Sequence, residues 1–371
     1  MAGTADIIII GAGIAGASAA AELIAAGERR VLLLEMESQP GYHATGRSAA
    51  MYEPSEGAPL VRALTRASGA FFEHPPEGFA EAPLLSPRGV LMLGYAGDEA
   101  LIETAKQCGY VTVDAAFARA KLPIVKTGQA IAILWDGTAQ DIDVDALHAG
   151  RLRALRRAGA KIVVDAAVRR GTRSDGVWRL ETGAGNFEAP IVVVAAGAWS
   201  DQVAASCGVR PVGLQPKRRS AAILPGPAGA DVQAWPEILP VDISFYCKPM
   251  GGKLMLSPAE EEPVEPHDAW ADDLRLAEAV ERLEAMVGIN VQRLERTWGG
   301  LRTFAPDGLP VVGFDPEAEG FFWLAGQGGY GIQTSPALSR VAAAAIGGRD
   351  VPADIAHKGV AHAALSPARF R

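Results

Sequence analysis

The first part of the chain places short apolar runs on either side of a glycine turn. Ile7–Ile10 is a run of β-branched residues that predicts a buried strand, and the Ala- and Leu-rich stretch after it predicts a helix that stops at Gly27. Val31–Leu34 predicts the next buried strand. Two parallel strands joined by a crossover helix form a βαβ unit, which predicts a doubly wound parallel sheet.

Later apolar runs predict that this sheet resumes twice. Residues 144–158 predict a helix that leads into a strand at 161–164, and Ile191–Val194 predicts a further buried strand. Near the end of the chain, Phe321–Ala325 predicts a strand, and residues 336–346 predict an Ala-rich helix. The Rossmann-like part is therefore expected to be discontinuous along the sequence.

The intervening residues have a different pattern, in which short runs of alternating apolar and polar positions are broken by Pro and Gly. This pattern indicates antiparallel sheet. The clearest predicted strands are 220–224, 244–248 and 253–256, with Gly251 and Gly252 in a hairpin turn and an amphipathic helix at 272–287.

Together these patterns predict an α/β fold, α+β overall, in which a Rossmann-like dinucleotide-binding domain is interleaved with an antiparallel-sheet substrate domain. A cleft between two such domains is the expected ligand site. The predicted dinucleotide domain comprises residues 1–76, 143–212 and 301–371, and the predicted substrate domain comprises residues 77–142 and 213–300.

Charge and cysteine usage narrow the function further. Thirty-five Lys and Arg against 43 Asp and Glu give a net charge of −8, which disfavours nucleic acid and anionic membranes as partners. Cys108, Cys207 and Cys247 share no close spacing, as expected in a reducing cytoplasm. The histidines have no ligand spacing, so no metal is expected. The apolar runs are too short for a membrane span. We expect a cytoplasmic protein whose partner is a small molecule.

A G-x-G-x-x-G turn occupies the position between the first strand and the first helix. Gly11 permits the tight turn, Gly13 lets the backbone approach a pyrophosphate, and Gly16 lets helix and strand pack closely. Glu35 ends the next strand, where a carboxylate accepts hydrogen bonds from ribose hydroxyls. The turn predicts a dinucleotide but does not distinguish FAD from NAD.

A second glycine-rich turn lies at residues 326–333, before the last predicted helix. A glycine-lined helix N-terminus there suits the end of a flavin ring where negative charge grows on reduction. A nicotinamide ring needs no such partner, so the second turn favours a flavin. An NAD-linked dehydrogenase and a dinucleotide sensor without catalytic activity remain as alternatives.

Several motifs resemble the FAD-dependent D-amino acid oxidase superfamily and, within it, the bacterial D-arginine dehydrogenases. They are the first glycine turn, the segments at 40–50, 195–199 and 214–219, and the second glycine turn. The resemblance implies FAD bound non-covalently, with His43 packing or hydrogen bonding rather than forming a flavin linkage. The residues implied to bind FAD are Gly11, Gly13, Ile14, Ala15, Gly16, Glu35, Met36, Thr45, Gly46, Arg47, Ser48, Ala49, Ala50, Val168, Ala196, Gly197, Trp199, Arg302, Gly328, Gly329, Tyr330, Gly331, Ile332 and Gln333.

The resemblance also implies a clamp for a substrate carboxylate. Planar guanidinium groups bind carboxylates in bidentate geometry, and Arg219, Arg302 and the Tyr246 hydroxyl are implied to do so here. Arg218 is expected on the opposite face of its strand. The full set of expected substrate residues is Arg219, Arg302, Tyr246, Gln333, Gly329, Met51, Glu53, Glu56, Gly89, Glu237 and Leu239.

The implied reaction is oxidative deamination of a D-amino acid, with hydride transfer from Cα to flavin N5. The resulting imino acid hydrolyses to a 2-oxo acid and ammonia. The alternative is oxidation of a secondary amine or N-methyl amino acid, such as proline or sarcosine. The electrons then pass to oxygen, a quinone or a carrier, and the residues do not single out one of these acceptors.

The pocket beyond Cα departs from the D-arginine dehydrogenase pattern. Met51, Glu53 and Glu56 stand where that branch has His, Thr and Tyr, and Gly89 stands where it has an acid that binds the cationic side chain. Glu53, Glu56 and Glu237 are one possible replacement site for a cation. Alternatively they face solvent, and a roomier apolar pocket between Met51, Gly89 and Leu239 favours neutral D-amino acids or secondary amines.

Overall fold

The computed structural model describes residues 3–27 and 30–371. The strands are β1 (Gly3–Thr4), β2 (Ile7–Ile10), β3 (Val31–Leu34), β4 (Met51–Tyr52), β5 (Leu85–Pro87), β6 (Val90–Gly94), β7 (Val111–Thr112), β8 (Ala132–Asp136), β9 (Gln140–Ile142), β10 (Lys161–Val163), β11 (Val168–Ser174), β12 (Val177–Thr182), β13 (Gly185–Ala189), β14 (Ile191–Val194), β15 (Gln215–Leu224), β16 (Glu237–Pro240), β17 (Tyr246–Met250), β18 (Lys253–Ser257), β19 (Glu262–Pro263), β20 (Arg296–Phe304), β21 (Val311–Phe314), β22 (Phe321–Ala325) and β23 (Gln327–Gly328). The helices are α1 (Ile14–Ala25), α2 (Pro59–Glu73), α3 (Glu99–Cys108), α4 (Ala115–Lys121), α5 (Val144–Arg157), α6 (Ser200–Ser206), α7 (Asp273–Met286), α8 (Gly331–Ile346), α9 (Ala353–Ala356) and α10 (His362–Leu365), with 3₁₀ turns at Gly197–Trp199 and Pro367–Phe370.

The predicted parallel sheet is confirmed. Its six strands lie in the order β10-β3-β2-β14-β22-β21, and all neighbours are parallel except β21 and β22. The first strand, β2, is flanked by β3 and by β14, so the crossover direction reverses there. In open α/β sheets a ligand binds at such a point, beyond the carboxyl ends of the strands.

The two faces of this sheet are covered differently. Ile7 and Ile9 point toward helices α1, α5 and α8, whereas Ile8 and Ile10 pack with Trp178 of a four-stranded sheet in the order β1-β13-β12-β11. A doubly wound sheet has helices on both faces, so this part of the prediction was wrong. The strands within residues 168–189 were not predicted, although Trp178 and Leu180 alternate with exposed Arg179 and Glu181 as in a strand with one buried face.

The predicted antiparallel sheet is confirmed as a ten-stranded sheet. Its order is β23-β20-β15-β18-β17-β16-β6-β8-β7, with β19 paired to β15, and β16 and β6 form one parallel pair. Gly251 and Gly252 join β17 to β18 with φ angles of 59° and 76°, as the tight hairpin turn requires. The division into two domains stays a proposal, and its boundary after residue 300 falls inside the continuous strand β20.

Several predicted element boundaries differ from the structure, and the strand predicted at 220–224 begins at Gln215. The strand predicted at 244–248 begins only at Tyr246, because Ile243 has a φ of 53° and the Asp242 carboxylate accepts the Ser244 N–H in a turn. The helix predicted at 336–346 begins five residues earlier, at Gly331. Pro336 therefore lies inside α8, and the Ala337 N–H donates to the Ser68 hydroxyl at 3.1 Å.

A helix that spans a membrane needs about 20 consecutive, predominantly apolar residues. In the chain described, leaving out residues 1–2 and 28–29, none combines the length and the apolar character needed to cross a membrane.

Candidate active site

One cavity of about 500 Å³ lies between the carboxyl ends of β2, β3 and β14 and one face of the ten-stranded sheet. This volume is typical of sites for small molecules and cofactors. It is lined by most of the sequence-predicted site residues: Gly11, Gly13, Ile14, Ala15, Glu35, Met36, Thr45, Arg47, Ser48, Ala49, Ala50, Met51, Glu53, Glu56, Val168, Ala196, Gly197, Trp199, Arg219, Glu237, Leu239, Tyr246, Arg302, Gly328, Gly329, Tyr330, Gly331, Ile332 and Gln333.

Three predicted residues lie outside this lining. Gly16 packs α1 against the turn, because a Cβ there would clash with the Gly11 carbonyl oxygen. Gly46 is held inside its own loop by a 2.8 Å hydrogen bond from its N–H to the Gly41 oxygen. Gly89 lies behind the lining: its carbonyl oxygen accepts the Glu237 N–H at 3.0 Å, and a Cβ there would meet the Trp135 ring.

The nucleotide end of the cavity is built by the first glycine turn. The Glu35 carboxylate is buried and accepts the Ala12 N–H at 2.9 Å and the Glu37 N–H at 3.1 Å. The Thr45 hydroxyl accepts the Ile14 N–H at 3.0 Å. These bonds fix the start of α1, whose N-terminus lines the cavity and favours an anionic group.

The loop at residues 41–50 joins the two sheets through Arg47. Its guanidinium donates to the Ala269 oxygen at 2.8 Å and to the Gly299 oxygen at 3.0 Å, and it pairs with Asp268. His43, in the same loop, lies 2.7 Å from a Glu37 carboxylate oxygen and against the Trp199 ring. His43 is thus engaged in a hydrogen bond and in ring packing.

The far end of the cavity is built by the second glycine turn. Because α8 begins at Gly331, the glycine run itself forms the N-terminus of that helix and faces the cavity. The Gln333 side-chain oxygen accepts the Glu53 N–H at 2.8 Å and so holds the loop after β4. Two helix N-termini thus face one cavity.

These features fit a flavin dinucleotide. A pyrophosphate suits the Gly13 turn, where substitution by any larger residue would fill the cradle, since a Cβ would already lie 3.1 Å from Thr45 Oγ1. The dipole of α8 suits the ring end of the cofactor, where charge grows on reduction. The residues that would hold the two ends are the first turn with Glu35 and the second turn with Trp199.

The predicted carboxylate clamp faces the cavity beside the second glycine turn. An Arg302 guanidinium nitrogen lies 3.3 Å from the Tyr246 hydroxyl oxygen, and the guanidinium packs against the backbone of Gly329. Arg219 lies directly opposite Gly300 across β15 and β20, and its guanidinium donates to Glu261 at 3.2 Å. Desolvation, and to a smaller extent repulsion from Arg302, lowers the pKa of Arg219. Two neighbouring cations of this kind are expected at a site that binds an anion.

Arg218, next along β15, points away as predicted. It pairs with Glu262 and lies 2.6 Å from an Asp272 carboxylate oxygen, and it is not part of the cavity lining. Because side chains alternate between the two faces of a strand, Arg219 lines the cavity and Arg218 forms ion pairs on the other face.

All three candidate glutamates line the cavity; Glu237 is buried, whereas Glu53 and Glu56 are partly exposed. Desolvation, with the charges of Glu237 and Glu56, raises the pKa of Glu53 well above its usual range. Burial raises the pKa of Glu237 to about 7, and burial also raises that of Glu56, whose carboxylate lies 3.5 Å from the Tyr330 hydroxyl.

Sequence reasoning missed several residues of the cavity wall. Tyr110 is 6% exposed, and burial with the nearby carboxylates holds its pKa well above the usual range, so it remains a hydroxyl. It lies alone between α3 and β7, and no local pattern identifies it. The other missed residues include Gln202, Ile243, His267, Trp298, Thr303 and Gln327.

The raised pKa of Glu237 predicts a pH-dependent stability. The folded protein holds the Glu237 proton more tightly than the unfolded chain, whose pKa is near 4.5, so this stabilisation is complete below pH 4.5 and is lost as pH rises through about 7. Between pH 5 and pH 8 we expect the free energy of unfolding to fall by about 2 to 3 kcal/mol more in the wild type than in Glu237→Gln. The charged groups that act on Glu237 are Lys248, Asp141, Glu56, Arg302 and Glu53.

Urea titrations of both proteins at several pH values measure this difference. Parallel pH dependence in the wild type and in Glu237→Gln would contradict the assignment of the titration to Glu237.

A flavin-type dinucleotide site joined to an arginine clamp defines the class as a flavoprotein oxidoreductase. The family model for FAD dependent oxidoreductases (DAO) matches residues 6–345, and the chain belongs to this family. FAD is therefore the cofactor. The prediction of the D-amino acid oxidase superfamily is confirmed at the level of this family.

Proteins of known structure share this fold, and a curated protein is similar in sequence. The structure of L-proline dehydrogenase from P. horikoshii superposes with a TM-score of 0.84 at 22% identity, covering 100% of this chain and 98% of that one. Glycine oxidase from Geobacillus kaustophilus gives a TM-score of 0.81 at 23% identity, covering 94% and 96%. The uncharacterized oxidoreductase YurR of Bacillus subtilis is 26% identical over 254 residues, covering 63% of this chain and 64% of YurR.

The chain spans between 35% and 64% of the length of the curated relatives it matches.

Proposed function

We propose that this protein oxidises D-amino acids at Cα, with FAD bound non-covalently. The observation that carries the proposal is the pair of guanidinium groups, Arg302 and Arg219, that faces the cavity beside the second glycine turn. Two cations and the Tyr246 hydroxyl suit a carboxylate better than any neutral group. The D-configuration rests on the resemblance to the D-amino acid oxidase superfamily and its D-arginine dehydrogenases.

The clamp then determines which bond breaks. Arg302, Arg219 and Tyr246 hold the carboxylate, which leaves Cα–H free to point at the ring end of the cofactor site. FAD supplies the acceptor for the hydride that leaves Cα. As the C–H bond breaks, the lone pair of the neutral amine forms the C=N bond of an imino acid, and water converts this product to a 2-oxo acid and ammonia.

The same clamp serves a second candidate function, the oxidation of a secondary amine such as proline or N-methylglycine. It is favoured by the likeness to L-proline dehydrogenase, which covers the whole chain, and by the apolar Met51 and Leu239 in the cavity wall. The reaction is the same except that the imine carries an N-substituent.

Anaerobic mixing of the holoenzyme with single amino acids tests both functions. We expect D-leucine or D-arginine to bleach the flavin, and L-leucine to leave it oxidised. Faster bleaching by N-methylglycine or proline decides for the second function. If none of these compounds reduces the flavin, both are overturned.

His43 provides a test of the cofactor linkage. With its imidazole hydrogen-bonded to Glu37, we expect acid precipitation of the protein to release all the flavin into the supernatant. Flavin that remains with the pellet would contradict non-covalent binding.

A further inference from the structure

On the face of the ten-stranded sheet that lines the cavity, cationic and acidic side chains lie on different strands. Arg302 on β20 and Arg219 on β15 stand at one end, Tyr246 on β17 lies in the middle, and Leu239 and Glu237 on β16 stand at the other. The cavity is therefore cationic where a substrate carboxylate binds and acidic some distance away. A molecule with a carboxylate at one end and a cation at the other matches this order.

Glu237 is placed by the alternation of β16. Ile238 points into the core with Cys247, so Glu237 and Leu239 on either side of it share the opposite face, toward the cavity. Glu237 is only 6% exposed. Throughout residues 3–27 and 30–371, no hydrogen-bond donor or ion-pair partner is found for its carboxylate.

The cation opposite Glu237 is already paired with another carboxylate. The antiparallel register that pairs Ile238 with Cys247 puts Lys248 opposite Glu237. The Lys248 ammonium, however, donates to Asp141 at 2.6 Å, and Asp141 is also bound by Arg88 at 2.5 Å. A buried carboxylate without a hydrogen-bond partner is costly, and either a bound proton or a cationic ligand that pairs with it relieves this cost.

A second wall of the cavity brings another carboxyl group to the same place. Glu53 follows β4 and is fixed by the bond from its N–H to Gln333, and its charge and that of Glu237 act on each other. Glu56 lies further along this segment, beside Tyr330. In the described part of the chain, no group of three or more His, Cys, Asp or Glu side chains is arranged to hold a metal ion, so an organic cation is the better match.

The separation across the sheet also fits. Tyr246 is one strand away from Glu237 and two residues along, a diagonal of about 7 to 8 Å between Cα atoms. Arg302 holds the substrate carboxylate above Tyr246. From a carboxylate held there, an unbranched side chain that ends in an ammonium or guanidinium group would extend across β17 toward Glu237 on β16.

We propose that Glu237 and Glu53 form a subsite for a cationic group at the end of the substrate side chain, so that the preferred substrates are basic α-amino acids. This inference rests on the proposed oxidation at Cα. In the D-arginine dehydrogenases an acid at the position of Gly89 binds the cationic side chain. The proposal assigns this specificity to two other residues, Glu237 and Glu53.

Pairs of a basic and a neutral substrate with similar side chains test the subsite. Anaerobic stopped-flow reduction of the holoenzyme by D-arginine is compared with reduction by neutral D-citrulline, and reduction by D-lysine with reduction by D-norleucine. We expect kred/Kd to be about 30-fold or more higher for the basic member of each pair, since a buried charge loses its partner in the neutral one.

Glu237→Gln and Glu53→Gln then show whether these side chains cause the preference. Each variant should lower kred/Kd for D-arginine by about 30-fold or more and leave D-norleucine within about threefold of the wild type. Glu281→Gln, the same change at an exposed position on α7, is the matched control and should leave all four substrates unchanged.

A binding measurement without turnover completes the test. With the flavin reduced beforehand by dithionite, D-arginine should raise the melting temperature of the wild type, and should do so much less in Glu237→Gln. D-citrulline should have little effect on either protein. This readout also shows whether the variant is folded.

The possible outcomes are distinct. Equal reduction by the basic and neutral members of both pairs overturns the subsite and leaves the proposed function standing. A variant that slows all four substrates alike shows a role that does not depend on the charge of the substrate side chain and also overturns it. If no amino acid, basic or neutral, reduces the flavin, the proposed function itself has failed.

Discussion

Replacing Arg302 by alanine should lower kred/Kd for D-amino acids by about 100- to 1000-fold. A carboxylate that loses one partner of a desolvated ion pair costs about 2 to 5 kcal/mol of binding, and each 1.4 kcal/mol is a factor of ten. Most of the loss should appear in Kd. Some should also appear in kred, because a carboxylate held by Arg219 alone orients Cα–H less well.

Two further variants identify the cause. Arg302→Lys keeps the charge but loses the planar fork that binds two oxygens, so it should recover only part of the activity. Arg296→Ala removes an exposed arginine from the same strand, β20, and is the control that should remain fully active. Flavin content is measured in each protein, because Arg302 also packs against Gly329 of the second glycine turn.

If Arg302→Ala keeps its flavin and oxidises D-amino acids at the wild-type rate, Arg302 is not part of a carboxylate clamp. If Arg296→Ala loses as much activity as Arg302→Ala, the effect belongs to the strand and not to the cavity.

Replacing Gly16 by alanine should remove the cofactor and destabilise the fold. A Cβ at this position would clash with the Gly11 carbonyl oxygen and would lie 3.2 Å from the Ile9 side chain, so α1 has to move away from β2. Overpacking of this kind costs up to about 3 kcal/mol. The displaced helix N-terminus also loses its position for the pyrophosphate, and the stabilisation that bound FAD provides is lost with it.

The visible flavin absorbance of the purified protein and its melting temperature measure these two effects. Gly128→Ala is the matched control, since Gly128 has an ordinary φ and open space around it. A Gly16→Ala protein that purifies yellow and melts at the wild-type temperature would contradict the packing role assigned to Gly16.

The sequence was most informative where local pattern and chemistry coincide. The strand, glycine turn and helix from Ile7 to Ala25, with Glu35 after β3, follow from hydrophobic periodicity and from the demands of a dinucleotide, and the structure confirms these elements. The alternating apolar and polar positions of the ten-stranded sheet also predicted antiparallel strands correctly. The opposite orientations of Arg218 and Arg219 follow from strand alternation alone.

The orientation of the glutamates could not be derived in the same way. Glu237 begins a strand whose four residues are all buried. Exposed and buried positions therefore do not alternate along it, and the hydrophobic pattern does not predict which side chains face the cavity. Glu53 follows a strand of only two residues, and its direction is set by Gln333, 280 residues away. Gly89 was placed by resemblance across a shortened loop, whereas the Trp135 ring decides where that loop lies.

The helix boundary at residue 331 was missed for a related reason. Proline ordinarily marks the first turn of a helix, which favours a start at Pro336. Here the backbone N–H of the following residue, Ala337, is taken by Ser68 of α2, a partner that no local pattern reveals. Contacts distant in sequence thus decided the points at which local patterns failed.

The strand order of the parallel sheet has a consequence for biosynthesis. The ribosome completes β2 before its neighbour β14, which follows about 180 residues later, and before α8, which completes the cofactor cavity and follows about 320 residues after β2. Pairing between such distant segments is slow. A nascent chain therefore carries the glycine turn at Gly11 long before it can hold FAD, and cofactor loading is a late event that follows synthesis of α8.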